Sequence, residues 1–324
     1  MRALLVLLSA AALAGCETLA YYGQAAGGQL AISAAARPVA QVLADPEASP
    51  ALKERLRAAL EIRDYATRKL GLPDDGAYRS YAGLDRPYVL WNVVAAPEFS
   101  LEPVQSCFPV AGCVAYRGYF DRQNAERHAV TQRAAGHDVV VYGVPAYSTL
   151  GWFDDPLLSS FIDYPDAELA RLLFHEFAHQ VVYVKDDSTF NESFAVAVER
   201  EGLRRWLRET GREAVPSGRA EFEALLAAAR KTLRALYGSR LDPEEMRRRK
   251  REALERLRPW LARMRGFESA EPNNAFVASF ATYTEKVPAF ERLLAEAGGD
   301  LERFYARVRS LARLPRAERD AELR

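Results

Sequence analysis

Hydrophobic and polar positions change rhythm twice along this chain. In the first stretch, Leu52, Leu56, Leu60 and Tyr65 recur at helical spacing between an opening Ser49-Pro50 and a closing Leu70-Gly71-Leu72-Pro73. A weaker helical pattern, Leu30 to Leu43, precedes it and stops at Asp45-Pro46. From about residue 78 the rhythm becomes that of strands. Tyr88 to Val94, Val114 to Phe120 and Asp138 to Val144 are rich in β-branched and aromatic residues, and Asn124 to Ala135, closed by Gly136, fits a helix among them. After Asp163-Tyr164-Pro165 the helical period returns. Leu169, Leu172, Leu173, Phe174, Phe177, Ala178, Val181 and Val182 leave almost no polar side, so this helix is expected inside a core. The run Val181 to Val184 weakens helicity, and Lys185-Asp186-Asp187-Ser188 reads as a turn. A second helix follows from Phe190 to Glu199 with Phe194, Ala195 and Val198 inward. Leu203 to Thr210, Arg219 to Tyr237 and Pro243 to Met264 continue as helices.

Two of the four histidines lie in the buried helix, as His175-Glu176-Phe177-Ala178-His179. Four residues apart on a helix, the imidazoles share a face and can grip one metal ion, with Glu176 placed to take a proton from a metal-activated water. The short turn makes the next helix an antiparallel neighbour, which brings Glu192 towards the pair as a third ligand. Glu199 or a remote His is the alternative, and two packed core histidines without metal are the bland reading. Two His, one Glu and an open position form the ligand set of a catalytic zinc site; a structural zinc more often uses four ligands rich in Cys. His128 and His137, in the Asn124–Ala135 helix and the turn after it, read as packing or surface residues.

These segments resemble the bacterial zinc aminopeptidase lipoproteins, a family with a gluzincin-type site. The resemblance rests on His175 to Gln180, Phe190-Asn191-Glu192-Ser193-Phe194-Ala195, Ala146 to Pro156, Cys107 to Cys113 and Tyr116 to Phe120, and it spans nearly the whole chain after the leader. It implies zinc-dependent peptide hydrolysis by an aminopeptidase, with His175, His179 and Glu192 holding Zn2+ and Glu176 as the base. The expected fold is α+β and mainly helical, a small β-sheet preceding a zincin-type active-site helix pair. One departure stands out. Val196 lies where several gluzincins place an Asp that holds a ligand His by its second nitrogen, so another acceptor must do this. In gluzincins an edge strand before the zinc helix pairs with the substrate backbone; Tyr147, Ser148 and Gly151 are expected in that role. Tyr283 is the candidate donor to the oxyanion, with Asn273 or Asn274 holding substrate; the competing expectation is that Tyr283 packs a helix and the Asn pair caps it. Glu168, Glu271 and Glu285 are acidic groups that could receive a free ammonium. A function of another class is a periplasmic binding or envelope quality-control factor with endopeptidase or little activity.

Composition narrows the setting. Lys plus Arg and Asp plus Glu balance at 44 each in 324 residues, so nothing draws the chain to nucleic acid. Met1-Arg2, an apolar run from Ala3 to Ala12 and Leu13-Ala14-Gly15-Cys16 read as a signal peptide over 1–15 whose end resembles a lipobox. Cys16 is then the lipidated first residue that anchors the protein to a membrane. Glu17 in place of Asp favours the outer membrane of a bacterial envelope, with the body facing the periplasm. Residues 16–30 are expected as a tether and 31–324 as one peptidase domain, a mixed α/β part over about 78–202 and a helical part over about 203–324. Cys107 and Cys113 remain, an even pair that an oxidising compartment would join; two reduced buried thiols are the competing reading. Arg247 to Arg251, flanked by glutamates, reads as a solvated, ion-paired helix face.

Overall fold

A computed structural model describes residues 2–108, 112–149, 152–213 and 218–324. Gly151, expected to meet substrate, lies outside the described residues, as does the side chain of Cys16. The fold is mainly helical α+β. It begins with α1 (Arg2–Ala35), β1 (Arg37–Pro38), α2 (Val39–Ala44) and α3 (Pro50–Leu70). The β-rich part holds β2 (Ser80–Ala82), β3 (Leu90–Pro97), β4 (Ser106–Phe108), β5 (Gly112–Val114), β6 (Arg117–Tyr119), α4 (Arg122–Ala134), β7 (His137–Val144) and β8 (Leu157–Leu158). Then come α5 (Asp166–Val181), α6 (Ser188–Thr210), α7 (Arg219–Tyr237), α8 (Pro243–Glu255) and α9 (Arg258–Leu261). The chain ends with α10 (Asn274–Thr284), α11 (Val287–Glu296), α12 (Leu301–Ala312) and α13 (Arg316–Glu322). No helix among the described residues is long and apolar enough to cross a membrane.

Three expected elements take a different form. The single helix over Leu30 to Leu43 is interrupted at Arg37-Pro38, where proline lacks the N–H and β1 pairs with β2 instead. The helix over Pro243 to Met264 stops at Glu255 and restarts as one short turn, because Pro259 disfavours helical backbone just before it. The tether expected over 16–30 is helical; three glycines disfavour this, but contacts such as that of Gln24 with the Phe120 N–H hold the helix on the body, and packing overrides propensity. Conversely α6 runs unbroken through Gly202, where a pause was expected. A Cβ at Gly202 would stand 2.7 Å from Leu70 and 2.9 Å from Phe174, so the glycine serves helix packing rather than a turn.

The central sheet has the order β6-β3-β7, antiparallel throughout, with Trp91 opposite Tyr119 and Asn92 opposite Tyr142. Alternation along β3 sends Trp91, Val93 and Ala95 towards α4, and Val94 and Ala96 towards a core with α7, α8 and α10. A β1-β2-β8 sheet and the β4-β5 hairpin complete the strands. In the hairpin Cys107 faces Cys113, and a disulfide joins them. The largest core wraps α5, which is buried by α3 and α6 through Phe174, Phe177 and Phe194, and extends to Phe290 and Phe304. A helix this enclosed holds its polar side chains in fixed places, among them His175, Glu176 and His179.

Candidate metal centre

The turn between α5 and α6 decides where Glu192 stands. Asp187 caps α6 by accepting from the Phe190 N–H at 3.1 Å, and its other oxygen binds buried Arg319 of α13 at 2.7 Å. Asn191 clamps Val184 at both ends, accepting from its N–H and donating to its carbonyl, each at 2.8 Å. Held this way, Glu192 Oε2 lies 3.2 Å from His175 Nε2 and 3.6 Å from His179 Nε2, and the two Nε2 atoms are 3.2 Å apart. Ligands about 2.0–2.1 Å from an ion at tetrahedral angles stand about 3.3 Å from one another. The three edges match that figure, so His175, His179 and Glu192 could hold one metal ion.

Glu199, two turns beyond Glu192 on α6, reaches the other nitrogen of His175, 3.1 Å from Nδ1. It is the acceptor that the Val196 position lacks, and it is not the third ligand. Arg171 at 3.2 Å and Arg219 at 3.5 Å hold the Glu199 carboxylate. The second nitrogen of His179 differs: Nδ1 is buried with no hydrogen-bond partner among the described residues. Burial alone would lower the pKa of His175, but its hydrogen bonds to Glu192 and Glu199 outweigh that and lift it to about 10. Burial pushes the Glu192 carboxyl up, and the two imidazoles reverse this to about 2. Glu199 is lowered too, burial being overcome by His175, Arg219 and Arg171. Glu176 moves the opposite way, raised by burial despite the neighbouring imidazoles.

The cluster floors a cleft of about 740 Å³. Tyr283 of α10 lines it, its ring centroid 6.1 Å from that of His175. Burial and the Glu192 charge keep its pKa well above the ordinary tyrosine value, so the phenol stays a donor. Tyr116 and Tyr183 also line the cleft, and burial raises both phenols likewise; no spacing in the sequence marked them. Tyr147 and Ser148 reach the cleft as expected, but from irregular backbone, because regular pairing ends at Val144. Asp155 ties this segment down, accepting from the Thr149 N–H at 2.9 Å and lying 3.5 Å from Ser148 Oγ. Both edge strands of the central sheet reach the cleft, β6 through Gly118 and β7 through Val144.

Asn273 and Asn274 are not brought to the cleft. Asn273 caps α10 through the Phe276 N–H and donates to the Val139 carbonyl, both at 2.9 Å. Asn274 is fully buried between Tyr237 and the carbonyls of Pro97 and Glu98. An asparagine before an apolar helical run is first a cap, which is the role of Asn273, while the Asn274 side chain is taken up by its buried partners. Glu168, Glu271 and Glu285 pair with Arg171, Arg258 and Arg230, and none lines the cleft. Arg247, Arg248 and Arg249 pair with glutamates as expected of a solvated face, whereas Lys250 is buried and pairs with Asp138 at 2.6 Å.

A family model described as "Putative aminopeptidase" matches residues 20–323. No curated protein and no solved structure matches the chain.

Proposed function

The chain belongs to this aminopeptidase family, and from that premise we propose that it hydrolyses peptides with zinc, releasing residues from the amino end. The observation that carries the reading is the near-tetrahedral spacing of the His175, His179 and Glu192 ligand atoms in a cleft that Glu176 also lines. Imidazole and carboxylate ligands suit zinc. When bound, zinc polarises the scissile carbonyl and acidifies water. Glu176 would then take the proton of the attacking water and deliver it to the leaving amine. Tyr283 donates to the carbonyl oxygen as charge develops there. Glu199 accepts from His175 Nδ1–H and so fixes the tautomer that turns Nε2 towards the ion. Arg171 and Arg219 keep Glu199 charged for that task.

The lipobox-like leader supports anchoring through lipid on Cys16 in a bacterial envelope, outer membrane facing the periplasm, and the Cys107–Cys113 disulfide fits an oxidising compartment. Metal analysis after dialysis, paired with a peptide library read by mass spectrometry, tests the function. Stoichiometric zinc that Glu192→Ala loses, with release of amino-terminal residues, supports it. Internal cleavage supports an endopeptidase, and zinc without cleavage supports a binding or quality-control role.

A further inference from the structure

Sheet edges offer a row of unpaired backbone donors that an extended peptide can join. Strand β6 presents such an edge beside the metal centre, and α1 covers it. The Tyr21 hydroxyl accepts from the backbone of Gly118, and Gln24 Oε1 accepts from the Phe120 N–H at 3.0 Å. Residues 118 and 120 point the same way along a strand, so two side chains of α1 take successive outward donors. The attachment continues down the helix. Gly28 lies against the Phe120 ring, where a Cβ would stand 2.1 Å from it, and Gln29 accepts from the Tyr147 hydroxyl.

The other end of this attachment is aromatic. Tyr21 stacks on Phe108 at 5.2 Å, Tyr22 meets the same ring edge-on at 6.4 Å, and the Arg117 guanidinium lies 4.2 Å over Tyr21. Phe108 sits next to the Cys107–Cys113 disulfide, and the Cys113 N–H donates to Asp186 in the α5–α6 turn at 2.6 Å. Tyr21, Tyr22 and Phe108 line the catalytic cleft and also a second cavity of about 270 Å³, which reaches Val93, Gln105 and His128 on the other side of the sheet. These rings are therefore a partition between two spaces that would otherwise run together. The cleft that remains has the size of a small-molecule pocket rather than of an open groove.

We propose that Tyr21, Tyr22 and Phe108 form a septum that closes one end of the cleft, so that the substrate is a peptide whose free amino end stops there. This rests on the aminopeptidase reading above and names the feature that would impose it. Peptides extended on the amino side meet the rings, and β6 has no free donor at Gly118 or Phe120 to carry them past.

The test uses the full zinc-loaded chain, a short peptide with a free amino end, and the same peptide lengthened by several residues at that end. The parent should discriminate against the longer peptide by about 100-fold in kcat/KM, and Tyr21→Ala/Tyr22→Ala should shrink that ratio to less than about 10-fold. Tyr21→Phe/Tyr22→Phe, which keeps the rings, should keep the discrimination and controls for folding. Equal cleavage of both peptides by the parent overturns the septum. So does a gain of the same factor on both peptides in the alanine variant, which would make α1 an obstructing strap. A parent that hydrolyses neither peptide refutes the peptidase reading. Calorimetric affinities of the two peptides for Glu176→Gln chains with and without the alanines then still decide the septum, which requires that only the alanine background binds both equally.

Discussion

His175, Glu176, His179, Glu192 and Glu199 sit on two consecutive helices joined by one clamped turn. The opposite wall of the same cleft draws Tyr21 from α1, Phe108 from β4, Gly118 from β6, Tyr147 from an irregular segment and Tyr283 from α10. One side is local in sequence and the other is assembled across almost the whole chain. The local side brings its ligands within bonding range through helical period and one turn, which Arg319 of α13 braces through Asp187. The assembled side depends on contacts between distant segments, and it governs what reaches that chemistry.

The sharpest way to break this contrast is Glu176→Gln, which should keep zinc and lower kcat by about 10³–10⁴-fold. Loss of metal in that variant would mean that the local side is not a separable unit. Tyr283→Phe comes next, because it removes one donor contributed by the assembled side. A fall in kcat of about 10²-fold with little change in zinc content is expected, and unchanged kcat would leave the oxyanion to Tyr116 or Tyr183. Glu199→Ala removes the support behind His175 and should weaken zinc binding about 10–100-fold, read by competition with a chelator. The same change in chelator competition for Val196→Ala, which leaves Glu199 in place, would argue against a specific role for the Glu199 contact. Cys107→Ser is the mildest: it should cost about 2–3 kcal/mol of stability by the chain-entropy estimate for a short loop and alter peptide preference, with zinc affinity unmoved.

The same division accounts for what the residues alone reveal. The α5 pattern is legible because enclosing two imidazoles one turn apart among the apolar side chains of a core helix costs free energy unless they bind something. Glu199 is legible in principle, since seven residues beyond Glu192 is two turns on one face. Attention to the single turn, where Val196 stands, hides it. An edge strand is expected at Tyr147 to Gly151, yet regular pairing stops at Val144 and β6 also reaches the cleft, because pairing order in a sheet is a long-range outcome that neighbouring residues do not encode. Asn273 illustrates a local signal given the wrong weight: its place ahead of an apolar run marks a cap. Nothing in the residues of α1 announces that its tyrosines meet Phe108.

One contact ties the metal helices to a distant part of the chain. Asp187, at the hinge of those helices, is neutralised by Arg319 of α13, 132 positions further on, and both are buried. A buried carboxylate robbed of its counter-charge costs about 3–5 kcal/mol. A lesion far along the polypeptide can therefore unsettle the hinge without touching a single ligand.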